Sequence, residues 1–301
     1  MWRATAMLAY VLATGPVWAG LLDGQAVIRA PAGDAEIVIT TTHRLAGAIH
    51  SLKWHGHEYI NSTDHGRQLQ SACSFDNTPT AGAETFNPTE AGSRLDGAGP
   101  ESTSRLLELT AHDGVLSTRT QMAFWLAPGE RSEGSLARNT TKLSEYILSK
   151  RVAIGFRTWS QALDYRVTFT LPPTVHHTDA QFEALTGYMP PEFSKFWQFN
   201  PRTRHLEPLT DGPGEINNPV VLATPDGHFA MGIFAPPNNT GHPSYGRWKF
   251  DQARVVKWNC VFRVHDPRQI HVGDYAYHLL VPVGTLAQVQ NMLSDWQTVT
   301  W

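Results

Sequence analysis

Apolar and polar residues alternate with a period of two along most of this 301-residue chain. Ala26-Val27-Ile28-Arg29 and Glu36-Ile37-Val38-Ile39-Thr40 alternate or are β-branched, with the turn sequence Pro31-Ala32-Gly33-Asp34 between them. Ala48-Ile49-His50-Ser51-Leu52-Lys53-Trp54 alternates next, and His55-Gly56 turns it into Glu58-Tyr59-Ile60. Similar segments fall at 104–111, 116–126, 146–156, 162–170, 220–223, 229–235, 255–264 and 275–282. Successive side chains of a strand point to opposite faces, so each segment buries one face and leaves the other wet. Trp, Tyr, Phe and Val recur at these positions, as a pleated, half-buried surface favours. Strands at this spacing, divided by Gly, Pro, Asn and Asp, predict an all-β fold: a large antiparallel β-sandwich.

The pattern changes to a helical period near the end. Thr285 is placed to cap a helix over 285–296, in which Leu286, Val289, Met292, Leu293 and Trp296 share one face. A shorter helix or turn is expected at 191–197. No repeat of fixed period and no linker composition divides the chain, so 20–301 is read as one domain.

The start of the chain does not fit that domain. Met1-Trp2-Arg3 is positive, 4–17 is mostly apolar, and Val17-Trp18-Ala19 ends in a small residue. This is the pattern of a secretory signal peptide cut after Ala19 and predicts a secreted or periplasmic protein. No later apolar run is long enough to span a membrane, so the mature chain is expected to carry no membrane span. A net charge of −3 gives no electrostatic footprint for nucleic acid. Export would expose Cys73 and Cys260 to oxidants, making them candidates for a disulfide.

The segment 61–93 interrupts the alternation with two polar clusters, Asp64-His65-Gly66-Arg67-Gln68-Leu69-Gln70 and Asn87-Pro88-Thr89-Glu90-Ala91-Gly92-Ser93. A long non-periodic stretch inside a compact domain is usually functional or disordered. A titratable His, a fixed cation, a carboxylate and several amides suit a polar small-molecule or sugar site. For glycosidic hydrolysis, Glu90 is the candidate carboxylate, with Asp64, Asp96, Glu84 or Glu215 as partner. For elimination from a uronate, His65 would serve as base and Arg67 as carboxylate clamp. Gln68, Gln70 or Asn87 would then neutralise the substrate charge. The segment 186–200 concentrates Tyr188, Phe193, Phe196, Trp197 and Phe199, rings that could stack on sugar faces, and Glu215 lies in a following loop. Among 14 histidines, His55 and His57 share a strand face. No His-Glu-x-x-His or Cys-x-x-Cys spacing occurs, so no catalytic metal or cofactor is expected, while a structural cation held by backbone and Asp oxygens stays open.

The layout resembles the galactose-mutarotase-like β-supersandwich. The residues concerned are Gly47-Ala48-Ile49-His50-Ser51-Leu52-Lys53-Trp54-His55-Gly56, the Gly66-Arg67 pair and Asp226-Gly227-His228-Phe229-Ala230-Met231-Gly232-Ile233. The strand 275–282 also fits, running into Val283-Gly284-Thr285-Leu286 and a short terminal helix. The resemblance implies a carbohydrate partner without naming the chemistry, since that fold hosts epimerases, lyases, glycosidases and binders. Epimerases of this fold use a late carboxylate and a central His. Here no Glu follows Glu215, and His176-His177-Thr178-Asp179 lacks the flanking pattern. The expectation is therefore an exported protein acting on an oligo- or polysaccharide. Hydrolysis stands ahead of elimination, with a non-catalytic glycan-binding or cell-envelope protein as the alternative.

Overall fold

The computed structural model describes residues 22–76 and 84–301; the expected leader, residues 1–19, lies outside the described residues. The described chain is an antiparallel β structure of two packed layers. One layer runs, in order of pairing, Gly214–Ile216, Ser244–Phe250, Val255–His265, Asp179–Met189, Leu69–Phe75, Ile49–Trp54, Ala35–Thr41 and Ala26–Ala32. The other runs Arg105–His112, Val115–Phe124, Leu143–Phe156, Trp159–Leu171 and Gly273–Gly284. It continues through Ala230–Gly232, Val220–Ala223, Lys195–Asn200 and His205–Leu209. The short strand Pro88–Thr89 pairs with Leu69–Phe75 on one side and Val115–Phe124 on the other, and so stitches the layers together.

Alternation explains why these segments are strands. In Ala35–Thr41 the residues Ile37, Ile39 and Thr41 are buried and their neighbours are not. The inward faces form one cluster: Ile39, Trp54, Phe75, Phe182 and Phe262 from the first layer meet Leu148, Tyr165, Phe169, Tyr277 and Leu279 from the second. Phe262 stacks on Tyr277 at 4.2 Å between ring centroids. The expected terminal helix is present as Leu286–Trp296. Thr285 and Gln288 form a capping box, and Val289, Met292, Leu293 and Trp296 pack against Phe199, Val221 and Leu280. No helix among the described residues is long and apolar enough to cross a membrane.

Three expectations are corrected. The polar segment 61–93 is not all loop, because Leu69–Phe75 is a strand whose residues are nearly all buried. Its small polar residues have weak strand propensity, but pairing along the neighbouring strand Asp179–Met189 overrides that. The turn or helix expected at 191–197 gives way at Lys195 to the strand Lys195–Asn200, which pairs on both edges. Cys73 and Cys260 are both free and buried. Their strands flank Asp179–Met189 on opposite sides, two strand spacings or about 10 Å apart. A disulfide reaches only about 7 Å between Cα atoms.

Candidate functional site

The first layer turns one face to the core and the other to a cavity of about 190 Å³. Strand Leu69–Phe75 contributes Gln70, Ala72 and Ser74, and the connection that follows it adds Glu84 and Asn87. Strand Asp179–Met189 contributes Gln181, Glu183, Thr186 and Tyr188, strand Val255–His265 contributes Lys257, and Trp125 closes one wall. Gly66 is needed there: a Cβ on it would sit 2.7 Å from the Trp125 ring.

A β-bulge builds the polar centre. Strict alternation would put residues 181, 183 and 185 on one face. The register slips between Glu183 and Leu185 against one neighbour and between Glu183 and Thr186 against the other. Leu185 is thereby sunk into the core, while Thr186 and Tyr188 join Glu183 at the cavity. Re-aiming side chains in this way is a common use of bulges beside functional sites.

Thr186 Oγ1 donates to Glu183 Oε2 at 2.6 Å, and Lys257 Nζ donates to the same oxygen at 3.3 Å. Lys257 Nζ also lies 4.8 Å from the Trp248 ring centroid and 5.2 Å from that of Tyr188. These are cation–π distances. The Trp248 ring passes over Gly246, where any Cβ would collide with it.

Burial is the largest influence on the Glu183 carboxyl and pushes its pKa up. The Lys257 charge and hydrogen bonds from Thr186, Asn259 and Lys257 outweigh burial and hold it below the usual range. Lys257 is the mirror case: burial pulls its ammonium down, and the facing Glu183 and Tyr188 raise it above its ordinary value. Burial lifts the Tyr188 phenol, so Tyr188 is a neutral hydroxyl at neutral pH. The centre is thus an ionised, acceptor-only carboxylate beside a fixed ammonium, rimmed by amides, hydroxyls and rings.

No protein-family model and no curated protein matches the chain. Solved structures are similar to it. The Slr1438 protein from Synechocystis sp. PCC 6803 aligns over 92% of this chain and 100% of its own, with 9% identity and a TM-score of 0.47. An α-galactosidase from Lactobacillus brevis aligns over 92% of this chain and 42% of its own, with 10% identity and a TM-score of 0.45. The heparan sulfate lyase HepC from Pedobacter heparinus aligns over 87% of this chain and 35% of its own, with 9% identity and a TM-score of 0.44. The chain spans less than half the length of the latter two enzymes. Identities this low give no residue-by-residue correspondence, and nothing about the reaction follows from them.

The residues singled out from sequence fall into two groups. Gln70, Asn87 and Tyr188 line the cavity, as does Glu84. Gln70 accepts from Ala91 N and donates to Gly66 O, both at 3.2 Å, and Asn87 donates to Cys73 O at 2.6 Å.

The catalytic trio is not assembled there. Glu90 is fully buried, ion-paired with Lys150, and accepts from Ser71 N at 3.0 Å. His65 is buried with Nδ1 2.7 Å from Gly97 O and Nε2 2.8 Å from Arg44 O, so neither ring nitrogen is left for a substrate proton. Arg67 is spent on Asp64 at 3.1 Å and on Ala253 O at 3.1 Å.

Three of the expected substrate-binding residues also lie elsewhere. Gln68 is buried and donates to Asp64 O. Trp197 belongs to the second layer and packs toward the terminal helix. Glu215 forms a two-pronged pair with Arg263, both contacts at 2.8 Å, outside this cavity. Asp96 is absorbed in capping Ser93 and Thr103. The rings of Phe193, Phe196 and Phe199 are buried, so 186–200 supplies one cavity ring, Tyr188, and no aromatic wall.

Glu183, Thr186, Gln181, Lys257 and Trp125 were missed. The available signal was a lone charge inside an apolar strand, Glu183 in Phe182-Glu183-Ala184-Leu185 and Lys257 in Val255-Val256-Lys257-Trp258.

Proposed function

We propose that this chain recognises a carbohydrate in the cavity centred on Glu183 and Lys257. The carrying observation is the composition of that cavity: an ionised carboxylate, amides of Gln70, Asn87 and Gln181, the Tyr188 hydroxyl, and the rings of Tyr188 and Trp125. Sugar hydroxyls donate well to a carboxylate and exchange hydrogen bonds with amides, while their C–H faces pack on aromatic rings. The resemblance to the galactose-mutarotase-like supersandwich points the same way. Titration calorimetry of the protein with a panel of neutral and acidic glycans tests the reading, with Glu183→Gln in parallel. Absence of glycan binding, or binding untouched by Glu183→Gln, would sink it.

Hydrolysis is the second reading, favoured by Glu84, a second carboxylate on the same cavity. Glycosidases need two carboxyl groups, one of them protonated. New reducing ends without the absorbance of an unsaturated uronate would support it. Elimination fits less well, because Lys257 is already matched by Glu183 and no free clamp for a uronate lines the cavity among the described residues. The leader-like pattern of residues 1–19 supports an extracytoplasmic location for this activity as part of the proposal. The mature protein from an exporting host is expected to be short by residues 1–19 in intact-mass measurement.

A further inference from the structure

A second cavity, of about 250 Å³, adjoins the first and is lined by Asp179, Gln181, Arg263 and His265. The two share Ser74 and Gln181, which are direct cross-strand partners, and Arg263 is the partner of Gln181 on its other side. They are therefore successive parts of one groove across three adjacent strands. Each alone is smaller than the roughly 300–1,000 Å³ of an ordinary small-molecule pocket, and together they fall within it.

Two features define what lies across the junction. The Gln181 carboxamide makes no hydrogen bond among the described residues, although its neighbours on both strands are engaged. It presents a free donor and a free acceptor where the cavities meet. The basic groups among the described residues of the groove, by contrast, all face carboxylates: Lys257 with Glu183 at 3.3 Å, Arg263 with Glu215 at 2.8 Å, and His265 with Asp179 at 2.7 Å. Glu84 adds a further negative charge to the first cavity. A uronate or sulfate would have to displace a protein carboxylate from its partner, whereas a hydroxyl or an acetamido group would not.

We infer that the groove takes an uncharged oligosaccharide of at least two units, one in each cavity, with the Gln181 amide hydrogen-bonded at the junction. This rests on the carbohydrate reading above and specifies its ligand.

The test is calorimetric titration with neutral homo-oligosaccharide series of glucose, galactose, mannose and xylose, from monosaccharide to hexasaccharide, beside oligogalacturonates of matching length. In the series that binds, affinity is expected to rise about tenfold or more from one unit to the length that fills both cavities, then level. Gln181→Ala should abolish that increment, weakening long sugars more than single units. His265→Ala, which touches only the second cavity, should reduce it in the same selective way, so the outcome does not depend on one variant folding. Equal affinity at all lengths, or equal losses for short and long sugars in both variants, would overturn this inference while the carbohydrate reading stands. Tighter binding of oligogalacturonates would overturn the assignment to an uncharged chain. Failure of every saccharide to bind would remove the underlying reading itself.

Discussion

Lys150 and Glu90 meet with neither side chain exposed, whereas Lys257 and Glu183 meet with 13% and 23% of their side chains exposed. The chemistry is the same and the surroundings are opposite. Lys150 sits on the inward face of strand Leu143–Phe156, between Leu148 and Val152, and also donates to Gly47 O at 2.7 Å. Glu90 follows the stitching strand Pro88–Thr89 and is filled by Lys150 and Ser71 N. Beside them, Ser71 Oγ lies 2.8 Å from Tyr165 Oη and donates to Ala184 O, tying both layers to the pair. Every strong group is consumed inside the protein. Lys257 and Glu183 are held as firmly, but by partners that leave one side facing a cavity. A buried pair costs desolvation that its attraction only just repays, and it is kept where it fixes geometry or where it meets a ligand. The first pair fixes the joint between the layers; the second faces the cavity proposed to take a ligand.

The largest effect should come from breaking the sealed pair. Lys150→Met leaves the Glu90 carboxyl without its partner in the core, which should cost about 3–5 kcal/mol of stability in urea denaturation. Glu90→Gln, harmless if Glu90 were a proton-transfer residue at a surface site, should also destabilise strongly, because the two carboxylate oxygens accept separately from Lys150 and Ser71 N and an amide sets an NH2 donor against one of them while leaving the Lys150 charge unpaired. Combining Lys150→Met with Glu90→Leu should recover most of the loss, since an apolar pair of similar volume carries no desolvation cost. A stable Lys150→Met protein that has lost glycan binding would reverse the roles given to the two pairs.

The cavity pair should behave the other way. Glu183→Gln removes one charge that is partly hydrated, so stability should change by no more than about 1–2 kcal/mol. Ligand binding should weaken by about ten- to a hundredfold, the range for a charge-assisted hydrogen bond, as read by calorimetry at neutral pH. A large fall in thermal stability with intact binding would make this pair structural too.

What separates the pairs is barely written in the sequence. Period-two segments such as 35–41 and the capped helix beginning at Leu286 were legible because burial and hydrogen bonding there follow local order. Glu90 looked like a site residue because Asn-Pro-Thr-Glu-Ala-Gly is loop-like, yet that short run crosses between layers and turns its carboxylate inward. Glu183 drew no reading, because 179–189 was not among the expected strands, and alternation shows which residues share a face and not whether that face lines a cavity. The bulge after Glu183 hid the rest: it moved Leu185 to the core and Thr186 and Tyr188 to the cavity side, against strict alternation. Tertiary pairing, two strands at once, decides that slip.

The smallest effect, and the one that sharpens the comparison most, is the pH dependence of binding. Hydrogen bonds and the Lys257 charge together outweigh burial and hold the Glu183 carboxyl below its ordinary value of about 4.3. A depressed carboxyl keeps its ion pair at every pH above the unfolded value and loses it only as pH falls through the lower folded value. Affinity for a neutral saccharide should therefore stay flat from pH 8 to pH 5 and fall only at pH below the ordinary carboxyl range. The stability that Glu183 contributes should fade over the same acidic window, by a modest amount given its partial hydration. A carboxyl poised as a general acid would give the reverse slope, with activity falling as pH rises through 5 to 8. Calorimetric affinities measured across that range separate the two. A decline between pH 5 and pH 8 would mean that Glu183 is protonated when it works and would move the reading from recognition toward acid catalysis with Glu84 as its partner.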